Sequence, residues 1–354
     1  MSHGVTHDTK SGAGALDAAA VADMLGLIDG FRVSRIAWAA AKLGIADLLR
    51  DEPKSSTEIA AATQTHPPSL ERALRAFVAI GLVALDERGR FRLTPLGATL
   101  RSDIPGSLHP WMLLMLGDDN YRAWGELLHS LRTGETAFDR VFGSSVWDYR
   151  KRHPEQRRLF DAAMATLIRA HAVALVGAYP FAGVKRVVDV GGGDGTLLIE
   201  LLRAHPQLEG VLYDLPEVVQ EAGPRIVAAG VAERCAIASG DAFASVPGGG
   251  DCYLLSRVVH DWDDEHAIAI LRNCSRALPE RGSLLVVERV APARPEVSRA
   301  ARAAALADLT MLIATGGRER TEAEYRALLV VAGLKTLRVI AMASGLDLIE
   351  CARL

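Results

Sequence analysis

The sequence predicts an α/β protein with a mostly parallel sheet, a C-terminal antiparallel hairpin and a mainly helical N-terminal domain. Three observations predict it. From residue 183 onward, short apolar runs alternate with helical periodicity, the texture of β-α units whose strands are covered on both faces. Within that region VVDVGGGDGTLL, at 187–198, reads as a buried strand, a glycine turn and the start of a helix. Ahead of it, over about residues 30–100, helical segments lead into a short two-stranded hairpin.

Residues 1–14 are polar and small, without a hydrophobic signal core, and predict a tail lacking fixed structure over 1–15. Over 18–50, Leu25, Ile28, Ile36, Leu43, Leu48 and Leu49 recur at helical spacing. SSTEIA at 55–60 begins a short helix with a capping start, and Pro67-Pro68-Ser69 opens another over 70–80, stopped by Gly81. Residues 82–85 and 90–93 flank Asp86-Glu87-Arg88-Gly89 as a hairpin. Helices followed by such a wing describe a winged-helix unit. Residues 107–178 are predicted mostly helical, with Trp111, Met112, Leu116, Trp124, Leu127, Leu128, Phe160 and Met164 on apolar faces. Strands follow at 186–190, 210–214, 234–237, 252–259 and 283–288. The last pair, 335–341 and 346–351, is joined by Ala343-Ser344-Gly345, a hairpin signal. The resulting fold is Rossmann-like.

Composition bounds the function. With 354 residues, 49% hydrophobic and 23% charged, the chain is long enough for two domains with substantial cores. A net charge of −3 argues against a nucleic-acid partner. Arg72, Arg75, Arg88, Arg90 and Arg92 of the winged-helix region are offset by Glu71, Asp86 and Glu87, so a DNA-binding regulator is the weaker reading of that unit. No uninterrupted apolar run approaches the roughly 20 residues of a membrane span, and no membrane partner is expected. Cys235, Cys252, Cys274 and Cys351 have no C-x-x-C spacing, which points away from disulfides or structural zinc and toward a cytoplasmic location.

In an open parallel sheet, ligands gather outside the carboxyl ends of the strands. Here the first strand ends in the glycine turn, the second in Asp214, the fourth in His260 and the fifth in Glu288. Glycines let the backbone approach a ligand, and the following helix points free N–H groups at it. A dinucleotide fingerprint would need a third glycine where Thr196 stands, so a nicotinamide enzyme is disfavoured. Asp214, 23 residues beyond Gly191, suits a carboxylate that takes both ribose hydroxyls of an adenosine; capping the next helix is its other role. In Ser239-Gly240-Asp241-Ala242-Phe243, the carboxylate can accept from an adenine amino group while the aromatic packs the ring. A plain turn is the alternative.

DVGGGDG (189–195), YDLP (213–216), GDAF (240–243), HDWDDEH (260–266) and GGRERTEAEY (316–325) occur in this order. Together they resemble the S-adenosylmethionine-dependent O-methyltransferases of the caffeate, hydroxyindole and bacterial polyketide-tailoring type, over nearly the whole chain. The resemblance implies a winged-helix dimerisation domain over 16–105, a helical connector over 106–180 that contributes to the substrate pocket, and a catalytic domain over 181–354. It implies S-adenosyl-L-methionine as cofactor, S-adenosyl-L-homocysteine as product, and a homodimer. Cofactor contacts fall on Asp189, Gly191, Gly193, Asp214, Leu215, Asp241, Phe243 and Ser256. Plant relatives carry a lysine where this chain has Ser256. An aromatic small-molecule substrate would be lined by Phe160, Met164, Asp308, Met311 and Leu312. The catalytic base falls on His260, flanked by Glu288 and Glu319.

The chemistry of His260 supports that role independently. Methyl transfer needs an oxygen nucleophile in line with the sulfonium methyl, and a phenol with pKa about 10 is weakly ionised at neutral pH. An imidazole with an ordinary pKa near 6.5 can take that proton, and a neighbouring carboxylate would hold its tautomer. The alternatives are capping of the acidic helix start for His260 and surface pairing of Glu319 with Arg318 or Arg320. Asp261, Asp263, Asp264, Glu265 and His266 suggest a divalent cation only weakly, because acids suit a helix start, and no metal is expected. Two other functions compete: decarboxylation or hydroxylation on the same fold and cofactor, and a ligand-sensing winged-helix regulator.

Overall fold

The computed structural model describes residues 16–354; the tail predicted over 1–15 lies outside the described residues. The described residues divide into two compact units, one ending at Arg101 and the other beginning at Ser102.

The first unit contains helices Ala18–Lys42, Ile45–Leu48, Ser56–Thr63, Pro67–Ala79 and Pro95–Ala98, with strands β1 (Val83–Leu85) and β2 (Phe91–Leu93) paired antiparallel. Local chemistry explains its boundaries. Ser55 and Glu58 form a capping box at the start of Ser56–Thr63. The Asp86 Oδ1 accepts from the N–H groups of Arg88 and Arg90 and closes the hairpin. Leu70, Leu74 and Phe77 are buried on one face of Pro67–Ala79. The first helix differs: Met24, Leu27, Ile28 and Phe31 are each more than half exposed.

The second unit is built on a seven-stranded sheet. Its strands are β3 (Arg186–Val190), β4 (Glu209–Asp214), β5 (Cys235–Ser239), β6 (Cys252–Ser256), β7 (Ser283–Glu288), β10 (Leu334–Ala341) and β11 (Asp347–Arg353), in the order β10-β11-β7-β6-β3-β4-β5. β3 to β7 run parallel, and the β10–β11 hairpin joins antiparallel beside β7. The order reverses at β3, which has β4 on one side and β6 on the other; the crevice there is where such sheets bind ligands. A two-residue parallel pair, β8 (Val290–Ala291) with β9 (Arg320–Thr321), extends beyond the end of β7. Sequence periodicity carried no sign of it.

Apolar clusters cover both sheet faces. One joins Ala172 and Leu175 of helix Pro154–Ala178 to Val187, Leu198 and Leu254; the other joins Val188, Leu255 and Val286 to Leu271 and Tyr325. Helix Pro154–Ala178 is long and apolar enough, by length and composition, to cross a membrane, a segment that a search for uninterrupted apolar runs passes over.

One strand boundary needs correction. The segment predicted as a strand over 252–259 leaves the sheet after Ser256. Arg257 takes φ = +60°, and Val259–Asp261 forms a single 3-10 turn, so His260 sits on that turn and not at a strand end. The cause is Glu288. Its Oε1 accepts from the N–H groups of Val258 (3.0 Å), Val259 (2.8 Å) and His260 (3.4 Å), replacing the ladder bonds that a longer strand would have used.

Candidate active site

The glycine turn is held at the carboxyl end of β3. Gly191, Gly193 and Gly195 all have positive φ, which glycine adopts without the steric penalty of a Cβ. A Cβ on Gly191 would stand 2.8 Å from Val258, whereas one on Gly193 would meet open space. Gly195 begins helix Thr196–Ala204. Thus the predicted strand–turn–helix forms, with the backbone bare at Gly193.

Three carboxylates gather round the turn. Asp214 Oδ2 accepts from Gly193 N at 2.9 Å and its Oδ1 from Leu215 N at 2.7 Å. Leu215, not Asp214, is the N-cap residue of helix Pro216–Val219. Asp189 is 1% exposed, and among the described residues neither of its oxygens has a hydrogen-bond partner. Burial, followed by the charges of Asp214 and Asp194, pushes its carboxyl up to about 7. A buried acid without a donor, beside two others, is complementary to a cationic ligand. The Ser256 Oγ, at the end of β6, is likewise buried and unpartnered among the described residues.

Asp241 spends one oxygen on a local turn, accepting from Phe243 N at 2.9 Å. The Phe243 ring meets Trp262 edge-on at 4.7 Å, and Trp262 stacks on Trp147 at 6.2 Å. This aromatic wall was only half anticipated. Trp262 sits inside the HDW motif but carried no spacing signal that separated it from core.

The centre of the site is His260, which is 3% exposed. Its Nδ1 lies 2.5 Å from Glu288 Oε2, and its Nε2 lies 3.6 Å from Asp261 Oδ1, beyond hydrogen-bond length. The pairing assigns the Nδ1 proton to the Glu288 hydrogen bond and leaves Nε2 as acceptor. Burial lowers the basicity of His260 most, but the Glu288 charge, the Asp261 charge and the Glu288 hydrogen bond together outweigh it, and the imidazole pKa is raised. For Glu288, burial is outweighed by the His260 charge and hydrogen bond, so its pKa is lowered.

Glu319 is buried here too, which rules out surface pairing. Arg318 pairs with Glu324, and Arg320 pairs with Asp264 at 2.7 Å. One ligand atom each of His260, Glu288 and Glu319 lies within 4.8 Å of the others. The approach depends on Gly317, whose missing Cβ would collide with the carbonyl oxygen of His260, and on Arg318 N donating to that oxygen at 2.9 Å. Burial pushes the Glu319 carboxyl up.

Arg320 fastens the loop. Its side chain is fully buried, donating to Val259 O (3.1 Å), Trp262 O (2.8 Å) and Asp264 Oδ1 (2.7 Å). Asp264 and Asp263, which caps helix Asp264–Ala277 by accepting from His266 N at 2.9 Å, thereby serve the loop and the helix start.

The expected pocket residues separate into two groups. Phe160 lies under the Arg150 guanidinium, 3.6 Å from ring centroid to carbon, and edge-on to Trp147. Met164 is one helical turn further along Pro154–Ala178. On helix Arg299–Ala314, Asp308 accepts from Glu319 N at 2.9 Å, so it positions that acid, while Met311 and Leu312 are half-buried beyond it.

Comparison with known proteins bears on the fold and the reaction class. The O-methyltransferase domain family matches residues 124–335, and the O-methyltransferase dimerisation domain family matches residues 25–103. A phenazine O-methyltransferase of Lysobacter antibioticus is 45% identical over 92% of this chain and 94% of its own. An O-demethylpuromycin-O-methyltransferase of Streptomyces alboniger is 43% identical over 89% of this chain and 84% of its own. The crystal structure of a neocarzinostatin-biosynthesis O-methyltransferase, solved with S-adenosylmethionine and 2-hydroxy-5-methyl naphthoic acid, superposes with a TM-score of 0.80. It is 34% identical and covers 97% of this chain and all of that one. The fold, the matched domains and these relatives together establish that this chain belongs to the S-adenosylmethionine-dependent O-methyltransferase family.

Proposed function

We propose that this enzyme methylates a hydroxyl of an aromatic small molecule in secondary metabolism, with His260 as general base. The observation that carries the proposal is the buried His260–Glu288 pair at 2.5 Å, which commits Nδ1 and leaves Nε2 as the acceptor. S-adenosylmethionine, when bound, supplies an electrophilic methyl on a positively charged sulfur. Asp189, Gly191, Gly193 and Ser256 are suited to hold its amino-acid end, Asp214 and Leu215 its ribose, and Asp241, Phe243 and Trp262 its adenine. The unpartnered Asp189 carboxylate supports that fit. Nε2 of His260 takes the phenolic proton as the oxygen attacks. Glu288 and Glu319 stabilise the imidazolium that results. Phe160, Met164, Met311 and Leu312 offer the apolar surface a flat ring needs.

The first unit is proposed to pair two copies into a homodimer, supported by the exposed apolar face of Ala18–Lys42. Phe31→Asp is then expected to give a monomer in light scattering. A cytoplasmic location suits the four cysteines, all buried and free.

The test pairs calorimetric titration of S-adenosylmethionine with turnover of a phenol panel, read by product mass. A gain of one methylene mass is expected from the parent, and a loss of about 10²- to 10⁴-fold from His260→Ala. Normal turnover by His260→Ala would remove the base. A product of decarboxylated or hydroxylated mass would replace the reaction.

A further inference from the structure

Arg257 was singled out by no motif, yet it is the residue where the chain departs from ordinary backbone. Its φ of +60° lies in the left-handed region, where non-glycine side chains are rare and strained. Its N–H still donates to Val287 O at 3.0 Å, so the strain falls on one residue between β6 and the His260 turn. Glycine would relieve it. What arginine adds is a guanidinium that is 19% exposed and 3.5 Å from Glu319 Oε1. Neither Glu319 oxygen has a hydrogen-bond partner among the described residues.

The charges around His260 explain why that matters. Glu288 reaches it from β7, Glu319 from the segment before β9, and Asp261 from its own turn. Farther out stand His171 and Arg150 on helices Pro154–Ala178 and Val146–Arg152, Arg289 after β7 and Tyr325 on helix Glu322–Val331. Three acids therefore crowd one imidazole in a buried space, and among the described residues Arg257 is the fixed cation within ion-pair distance of Glu319. Its charge acts on His260, Asp261, Glu288 and Glu319 alike.

We propose that Arg257 is a positioning residue for methyl transfer: its guanidinium is the counter-charge that lets Glu288 and Glu319 stay ionised while His260 gives up its proton and stands ready as a base. Without it, His260 is the cation left facing the acids, and it keeps its proton to higher pH. The strained backbone is retained because that conformation delivers the charge. The proposal rests on His260 being the base, and the measurements below separate the two.

The decisive variant is Arg257→Gly. Glycine is at home at φ +60°, so the variant should fold with a melting temperature at or above the parent's. The His260 titration, followed by NMR in isotopically labelled cofactor-free enzyme and assigned by loss of its signal in His260→Ala, should move up by about one pH unit. The acidic limb of kcat/KM, on a phenol that the parent methylates, should move with it, while S-adenosylmethionine affinity stays unchanged. Arg257→Lys keeps the charge and should return both toward parent values. An unmoved NMR titration in Arg257→Gly overturns the proposal, as does an Arg257→Lys titration matching Arg257→Gly. A shifted titration with an unshifted kcat/KM limb overturns the base assignment of His260 and leaves the counter-charge role standing.

Discussion

Replacing Glu288 by glutamine tests how His260 is held. The carboxylate uses Oε1 for three backbone N–H groups and Oε2 for the His260 Nδ1 at 2.5 Å. An amide of the same shape keeps an oxygen for the backbone but turns an NH2 toward Nδ1. Two donors then face each other. The neutral imidazole escapes by moving its proton to Nε2, the atom proposed to accept the phenolic proton. Restoring the productive tautomer forfeits a charge-assisted hydrogen bond, about 1.5–3 kcal/mol. The imidazolium formed during transfer also loses its buried counter-ion, which adds a similar amount. Together these give about 4 kcal/mol, or roughly a thousandfold in kcat. Single-turnover methylation at saturating S-adenosylmethionine, with cofactor affinity measured by calorimetry, reads the effect. A folded Glu288→Gln enzyme that retains kcat within tenfold of the parent would refute the tautomer argument.

Other outcomes follow from the same geometry. Because the His260 pKa is raised by its acidic neighbours, the neutral form that the proposed base requires is gained as pH rises through a value above the ordinary 6.5, and the acidic limb of kcat/KM should lie there. Asp189, raised to about 7, prefers its proton in the folded enzyme. Its contribution to stability is therefore full below about pH 4, falls as pH rises toward 7 and is lost above it. Asp189→Asn should thus match the parent near pH 4 by thermal melting, exceed it at pH 8 by about 5 °C, and bind S-adenosylmethionine at least tenfold more weakly by calorimetry. Equal cofactor affinity would remove Asp189 from the cofactor site. Arg320→Gln leaves two carbonyl oxygens behind His260 without their donor and should lower unfolding free energy by about 3 kcal/mol in urea titration, with kcat falling in parallel.

The sequence by itself determined what local physics can determine. Short continuous apolar runs, capping residues and glycines that must take positive φ set the strands, the helix starts and the β3 turn, because each constraint acts within a few residues. His260 was legible for the same reason: a titratable ring in an acidic motif just past an apolar run. The tertiary structure decided the rest. Val258 and Val259 read as strand, since nothing nearby in sequence reveals that Glu288 will capture their N–H groups. Arg318 and Arg320 are equally plausible neighbours for Glu319 in sequence. Only the β8–β9 pairing and the bare face of Gly317 turn Glu319 inward and send both arginines elsewhere. Asp308 became a tether for Glu319, Trp262 an aromatic wall and Arg257 a counter-charge through contacts with no signature at short range. Buried charge is balanced among groups far apart in the chain, so which acid faces which cation is settled by how the chain packs.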